Sequence, residues 1–283
     1  MRELRPRSPV YTDDLVWDSV GLDAYLIGAD HLAPEGPQIA HYSAASNAWE
    51  RLARPDWLAA LTFFHGYDHT AIDAVRRNIY HRPFGQNRVQ RADIDGMSWA
   101  PLPDAELINT YQNCCDALEY FPPLDGLVWI RGVGEVWLFD ETQQAWRQLG
   151  TWAEDGNTWT FAEYSAARRT LIFGSGNGNN LFKLDATGTV SRLTDPPVPI
   201  YDGSGYVGVL TSDPISGTFL LLTPTARELY SYDVDGDAWL AAASSNKPSL
   251  NNLGVVATPV PNYGVVLFAA CGRGDCRAYL YRH

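Results

Sequence analysis

The sequence predicts an all-β protein built from six similar units, each of four short strands. Three observations predict it: a repeat of about 47 residues, a second apolar segment ahead of each copy, and almost no helical periodicity. Four strands in about 40–50 residues are typical of one blade of a β-propeller. The 283 residues are therefore expected to form one domain, a single six-bladed propeller.

The repeated unit is an apolar strand, a polar turn and, in most copies, an aromatic residue three positions before a leucine. This order matches the third strand, the turn and the fourth strand of a blade. The copies run over 41–52, 92–102, 138–149, 182–193 and 230–240.

A second apolar segment precedes the repeat in each unit and predicts the earlier strands of the blade. These segments lie at 24–28, 78–81, 127–130, 170–174, 218–222 and 264–268. The blades are accordingly expected at approximately 10–53, 58–103, 107–150, 157–194, 204–241 and 251–283.

The last unit stops before its fourth strand, whereas the opening segment 1–6 is similar to 50–55, where a fourth strand is predicted. We therefore expect 1–6 to supply the missing outer strand of the last blade. Such closure covers two sheet edges that would otherwise be open to aggregation.

Two units resemble those of the Kelch family of β-propellers, in which an apolar-Tyr-Asp step and a turn precede a tryptophan. The matching residues are Tyr232-Asp233 with Trp239 and Phe139-Asp140 with Trp146. The resemblance covers nearly the whole chain and implies a propeller, but it implies no single activity. The paired glycines of Kelch units are reduced here to Gly28, Gly85, Gly132, Gly174 and Gly272.

The net charge of −12 makes nucleic acid and anionic lipid poor partners, because both are themselves negatively charged. No apolar run approaches the roughly 20 residues of a membrane span, and no secretory signal is visible. We expect a chain made in the cytoplasm, without membrane insertion, that could act outside as a virion component released by lysis.

The loops between second and third strands, and those between blades, meet on one face around the channel of a propeller. They carry the candidate ligand-binding residues Arg82, Arg88, Arg131, Arg227, Arg273, Trp57, Trp152 and Trp159. Guanidinium groups and flat rings suit an anionic or neutral glycan. In the alternative interpretation the arginines pair with acidic neighbours and the indoles pack between sheets.

Three histidines, His65, His69 and His81, are the remaining candidates for a metal site or a general base. In an extended strand His65 and His69 would stand roughly 13 Å apart, too far for one ion. Hydrogen-bonded core histidines are the favoured interpretation, and neither a metal nor a cofactor is predicted.

Cys271 and Cys276 flank a short turn and would face each other across a hairpin. A cross-strand disulfide is expected there in an oxidising setting, and two free thiols in a reducing one.

These features favour a non-catalytic recognition or assembly module. Its most specific form is a virion-associated structural protein, such as a phage tail, fibre or decoration protein, that docks other structural proteins or host glycans. The alternative is a carbohydrate-active hydrolase or lyase that acts on an anionic glycan at the arginine-rich mouth, with a carboxylate or His65/His69 as acid or base. No catalytic residue is assigned.

Overall fold

The computed structural model describes residues 12, 14–28, 37–61, 65–107, 115–153, 159–176, 178–200, 208–223, 228–242, 255–272 and 275–283, with the backbone alone for 270–272 and 275–277. In these residues the chain forms 23 strands in six antiparallel sheets and one four-residue helix. The all-β prediction is confirmed.

Each sheet is one blade, and its strands follow one another in chain order. Blade 1 contains β1 to β4, at Val16–Asp18, Asp23–Gly28, Gln38–Ser43 and Ala48–Leu52. The helix α1, Asp56–Ala59, leads to blade 2, whose strands β5 to β8 are Thr70–Asp73, Asn78–His81, Gln90–Asp93 and Ser98–Pro101. Blade 3 contains β9 to β12, at Ala117–Phe121, Gly126–Arg131, Glu135–Asp140 and Ala145–Thr151.

The remaining blades repeat the pattern. Blade 4 contains β13 to β16, at Thr160–Ser165, Thr170–Ser175, Asn180–Leu184 and Val190–Arg192. Blade 5 contains β17 to β20, at Val209–Ser212, Phe219–Leu222, Leu229–Asp233 and Ala238–Ala241. Blade 6 contains three described strands, β21 to β23, at Val255–Val260, Val265–Gly272 and Asp275–Tyr281.

The first strand of every blade lies at the centre, and these six strands form a closed ring. Contacts run from β1 to β5, β9, β13, β17 and β21, and β21 contacts β1 again. An isolated parallel bridge between Asp14 and Ala257 joins the last blade to the first, so the ring closes through backbone as well as side chains.

The hydrophobic core lies between neighbouring blades rather than inside any one of them. Between blades 3 and 4, for example, Ile130 and Val136 pack with Phe173 and Phe182. Similar clusters fill the other five junctions. Because both faces of a sheet are covered, a middle strand such as β10 is buried along its whole length and reads as a continuous apolar run.

The strand order gives the propeller two different faces. The lower face carries the turns between first and second strands and between third and fourth strands. The upper face carries the loops between second and third strands and the connections between blades. Aspartates organise the lower turns: Asp73 accepts from the amides of Val75 and Arg76 at 3.0 and 3.1 Å, the arrangement of an Asx turn.

Two sequence predictions concern blade 6. Segment 1–6, expected to add its fourth strand, lies outside the described residues. Cys271 and Cys276 stand directly opposite each other in the register of β22 and β23. That register is what a cross-strand disulfide requires, and the bond itself stays a prediction because those side chains are not described.

Removal of residues 2–6 is expected to lower the thermal midpoint by about 5 °C, because β23 would lose its expected neighbour and expose its edge. Differential scanning calorimetry of the full and shortened chains measures the shift. A chain in which the same residues are kept but scrambled is the matched control for length. An unchanged midpoint in the shortened chain would contradict closure by this segment.

Candidate functional site

Two of the predicted arginines lie in the interior between blades 2 and 3, not on the surface of the upper face. Arg82 follows β6, Arg131 ends β10, and both are fully buried. Between them lies Asp116, with Oδ2 at 3.4 Å from Arg82 Nε and 4.0 Å from Arg131 Nε. A glycan could reach these guanidinium groups only by displacing the residues that cover them.

Asp116 also accepts two hydrogen bonds, from Trp129 Nε1 at 2.8 Å and from the amide of Gly132 at 2.9 Å. Both guanidinium groups lie over the indole of Trp129, with Cζ at 5.8 Å from the ring centroid for Arg82 and 5.4 Å for Arg131. This indole separates two like charges and faces both of them. One carboxylate and one ring therefore organise two buried cations.

Each arginine has a second partner of its own. Arg131 Nη1 donates to Glu135 Oε2 at 2.6 Å, and Arg82 Nη1 donates to His69 Nε2 at 2.9 Å. Burial lowers the pKa of Arg82, an effect that Asp116 opposes and Arg131 strengthens. The two cations and the two carboxylates balance in charge, as a buried network requires.

Among the other predicted arginines, the structure describes Arg88 alone. Arg88 is exposed and forms a two-bonded ion pair with Asp104, with both distances at 3.0 Å. Arg227 and Arg273 lie outside the described residues. Their part in ligand binding stays a prediction.

The three tryptophans pack against other rings of the protein. Trp57 in α1 stacks on His81, with ring centroids 5.6 Å apart. Trp152 is buried against Phe173 and Phe182. Trp159 is buried edge-on to Tyr67, with centroids 4.6 Å apart. Trp57 is half-buried and Trp159 lines the central channel, so their part in ligand binding stays a prediction.

The three histidines are buried close to one another but do not converge on one point. His65 Nδ1 is hydrogen-bonded to Tyr67 OH at 2.5 Å, and His81 Nδ1 to Thr70 Oγ1 at 3.1 Å. The rings of His69 and His81 stand 6.3 Å apart. Burial and the nearby Arg82 lower the pKa of His81 to about 3, so its ring is neutral. Within the described residues no group of three or more His, Cys, Asp or Glu side chains is placed to hold a metal ion.

Cys115 lies just before Asp116, buried in a cluster with Tyr67 and Trp159. It is disulfide-bonded.

The central channel of the propeller contains a cavity of about 660 Å³. All six inner strands line it, and the lining continues to the first residues of the lower turns, Ser19, Ala74, Pro122, Ala166, Pro214 and Pro261. The cavity therefore reaches the lower face. Its volume lies in the range that ligand sites commonly have.

Six carboxylates line the channel. Asp73 and Asp125 pair with Arg76, which also lines it. The other four were not singled out by the sequence analysis: Asp14, Asp68, Glu119 and Glu163. Two of them bond to the inner strands of other blades. Asp14 Oδ2 accepts from the amide of Thr70 at 2.8 Å, and Asp68 Oδ2 accepts from the amide of Ala162 across the channel. These two carboxylates tie inner strands together.

The other two carboxylates, Glu119 and Glu163, have no ion-pair partner among the described residues. Glu163 Oε1 accepts from Ser212 Oγ at 2.8 Å. Burial raises the pKa of Glu163 to about 8, and burial together with Glu163 and Asp14 holds the pKa of Glu119 well above its usual range. The channel thus contains two glutamates that are poorly neutralised and in electrostatic contact with each other.

One sequence signal could have identified these glutamates. Glu119 is the one charged residue in β9, and Glu163 is the one charged residue in β13. Inner strands are covered on both faces, so a carboxylate within such an apolar segment must point to the channel or pair inside. The arginines drew attention because they were taken to lie in exposed loops.

The lower mouth of the channel is bordered by exposed apolar side chains. Six large apolar residues of the described chain are well exposed, and four of them lie in turns between first and second strands. These four, the apolar arc, are Val20 (63% exposed), Val75 (86%), Ile215 (62%) and Tyr263 (56%). Exposed apolar residues that are scattered singly need no explanation, but a group around one opening does.

The arc is continuous, because its turns belong to blades 5, 6, 1 and 2, which are neighbours in the ring. A Cβ placed on Gly264 would lie 3.0 Å from Cδ1 of Ile215, so the turns of blades 5 and 6 touch. Asn262 Nδ2 donates to the carbonyl of Ser19 at 2.9 Å, which joins blades 6 and 1. Arg77 pairs with Asp18 and so joins blades 1 and 2.

No family model and no curated protein matches the chain. No helix in the described residues is both long enough and apolar enough to span a bilayer.

Solved structures do resemble the chain. A streptogramin B lyase shares 11% identity over 98% of this chain and 85% of its own, with a TM-score of 0.61. A structure from a nidogen/laminin complex shares 16% identity over 82% of this chain and 79% of its own, with a TM-score of 0.57. A virginiamycin B lyase from Staphylococcus aureus shares 9% identity over 97% and 85%, with a TM-score of 0.56. At such identities the likeness supports the six-bladed propeller fold and nothing further.

The substitution Asp116→Asn is expected to lower the free energy of unfolding by about 3 kcal/mol or more, because two buried guanidinium groups would share no neutralising carboxylate. The matched control is Asp104→Asn, which breaks the exposed ion pair with Arg88 and should cost less than about 1 kcal/mol. Urea unfolding followed by tryptophan fluorescence measures both changes. Equal small losses in the two variants would show that the network contributes little.

The raised pKa of Glu163 predicts a pH dependence of stability. The folded chain holds this proton more tightly than the unfolded chain, so the stabilisation it gives is complete below the unfolded pKa and is lost as pH rises to about 8. Glu163→Gln cannot lose a proton, and its stability should exceed that of the parent increasingly from about pH 5 to pH 8. Thermal midpoints of both chains across that range test this. A constant difference between them would mean that Glu163 titrates normally.

Proposed function

We propose that this protein is a non-catalytic recognition or assembly module that binds a protein partner through its lower face. The observation that carries the proposal is the apolar arc around the channel mouth. Exposed apolar residues grouped in this way are typical of surfaces that another molecule covers.

The turns that carry Val20 and Val75 do not require apolar side chains, whereas Ile215 touches the turn of blade 6 and Tyr263 packs edge-on to Trp17, with ring centroids 6.3 Å apart. In blades 1, 2 and 5 the exposed residue occupies the same place, two positions after an aspartate that accepts its amide: Val20 from Asp18, Val75 from Asp73 and Ile215 from Asp213. The turn uses only the backbone of that residue. A polar side chain would serve the turn equally well, and β-branched residues are poor turn formers. An apolar side chain there is better explained by contact with a partner.

The finer parts of the proposal rest on the sequence. In its most specific form the partner is another structural protein of a larger assembly such as a virion, and host glycan is a second ligand class. Membership of the Kelch family is supported by the repeated aromatic-Asp turn with its tryptophan. The resemblance in fold to a chain from a nidogen/laminin complex supports a partner that is a protein.

A carbohydrate-active hydrolase or lyase is the second candidate. It is favoured by Glu163, whose raised pKa would keep a proton available near neutral pH for a general acid. Two of the similar structures are also named as lyases. This candidate places an anionic glycan at the upper mouth of the channel, with its charged group near Arg88 and its scissile bond extended to Glu163 inside the channel. Turnover of such a glycan, lost in Arg88→Ala, would favour it over the binding module.

Binding through the lower face predicts that a charge placed in the arc prevents assembly. The full chain, tagged and returned to its source cells, should bring down a partner at fixed copy number, measured by quantitative mass spectrometry. Val75→Asp and Tyr263→Asp should each reduce recovery about tenfold or more, because an ion would be desolvated in the contact.

Leu240→Asp is the matched control, since Leu240 is equally exposed (66%) but lies on the outer strand β20. It should leave recovery unchanged. Recovery of the chain only as a free monomer, or equal recovery by all three variants, would overturn the proposed function.

A further inference from the structure

The charge of the lower face points to the chemistry of the partner. In three described ion-pair clusters of this face, one arginine contacts two carboxylates. Arg76 contacts both Asp73, at 3.0 Å, and Asp125, at 2.6 Å. One guanidinium shared by two carboxylates leaves one negative charge unbalanced.

The same arrangement occurs twice more on this face. Arg77 pairs with Asp18 and, at 2.7 Å, with Asp95. Arg168 lies 2.6 Å from Asp235 and 3.8 Å from Asp233. Arg76, Arg77 and Arg168 are thus already committed to pairs, whereas Arg169, in the same turn as Arg168, is exposed. In the described lower turns the carboxylates still outnumber the arginines.

Above the mouth the channel holds two further carboxyl groups, whose raised pKa values keep them mostly protonated at neutral pH until a cation favours their ionised forms. Glu119 lies three residues before Pro122 and Glu163 three residues before Ala166, the two residues at the mouth, so both carboxyl groups sit about 10 Å inside along the strands. The lining also includes apolar residues such as Ile72 and Val75, beside Asp73, Arg76 and Asp125. A long basic side chain fits such a path, because its aliphatic stem can follow apolar walls while its charged end reaches the carboxylates.

Resting on the proposed function, we propose that the partner is a protein segment that inserts a lysine or arginine side chain into the channel mouth while its neighbouring apolar residues pack on the apolar arc. Charge complementarity selects this occupant. A second copy of the chain presents the same acidic face and carries a net charge of −12, and nucleic acid or an anionic membrane would be repelled.

Binding of a cation should be linked to protons. Glu163 interacts with Glu119 from β9 and with the uncharged Ser212 from β17, and Asp14 acts on Glu119. The other charged groups that line the channel are Asp68, Asp73 and Asp125, together with Arg76, which is paired with Asp73 and Asp125. An inserted cation would favour the ionised forms of the acids, so binding should release protons and should strengthen as pH rises from about 6 to about 9.

The probe for the test is a phage-displayed library of random peptides of about 12 residues, long enough to fill an interface groove. It is selected on the full chain and counter-selected on the Val75→Asp, Tyr263→Asp double variant. We expect the enriched peptides to share a lysine or arginine beside apolar residues. Isothermal titration calorimetry with the best synthetic peptide then measures affinity and proton release.

Two matched pairs isolate the charge. Norleucine in place of the peptide lysine, or Glu163→Gln in the protein, should weaken binding about tenfold or more, whereas the exposed Glu106→Gln should change nothing. If selection yields arginine peptides, citrulline replaces arginine. Thermal midpoints confirm that Glu163→Gln is folded.

The outcomes separate this inference from the proposed function. One outcome is a set of peptides that need the arc for binding yet bind equally well when norleucine replaces their lysine. That result would overturn the inference that a basic side chain enters the channel, but the lower face would still be a protein-binding face. A selection without arc-dependent peptides would overturn both. Butylammonium that binds as tightly as the peptide, in the arc variant as well, would instead make the channel a site for small amines.

Discussion

The inner edge of each blade imposes the constraint on which the rest of the structure depends. The first strand of a blade has a neighbour on one side only, so its outward amides and carbonyls face the channel without a strand to pair with. Carboxylates from other blades bind some of these groups. Asp14 accepts a hydrogen bond from the amide of Thr70, and Asp68 accepts one from the amide of Ala162. Closing the ring therefore places acids at its centre.

An acidic centre lowers the stability of the fold, and the chain does not fully offset this loss of stability. Carboxyl groups enclosed together repel one another, as Glu163 and Asp14 do with Glu119, and burial alone raises the pKa of Glu163 to about 8. The buried pair of Arg82 and Arg131 does not relieve this repulsion, because both arginines are committed to Asp116 between blades 2 and 3. A stable fold with unneutralised acids in an open cavity is suited to a cation supplied from outside.

The fold class could be predicted from the sequence because a repeat depends on local pattern alone. A strand, a turn and a second strand recur in each unit. Because every copy predicts the same structure, a weak pattern in one copy is compensated by the clear pattern in the others. The described strands confirm this all-β prediction. The site could not be predicted in this way, because its contacts join different units.

Arg82 illustrates that difference. In the sequence it follows a strand and precedes a loop, which is typical of an exposed residue at a channel mouth. Its carboxylate partner, Asp116, is 34 residues away along the chain, and the covering indole of Trp129 is further still. Nothing local distinguishes Arg82 from Arg88, which has the expected exposure and pairs with Asp104. Glu119 and Glu163 were overlooked because each is the one charged residue of an apolar strand. Their proximity to each other arises only when the inner strands meet around the channel.

The two faces also differ in what explains the identity of their residues. On the upper face, residues such as Trp152 and Arg131 are held by many contacts, so their identity is explained by packing. On the lower face, Val75 is bound through its amide alone, and its side chain is almost entirely exposed. An apolar residue in that position lowers solubility without stabilising the turn. Its repetition in neighbouring blades around the channel mouth is the observation on which the proposed binding face rests, so the lower face is where function should be sought first.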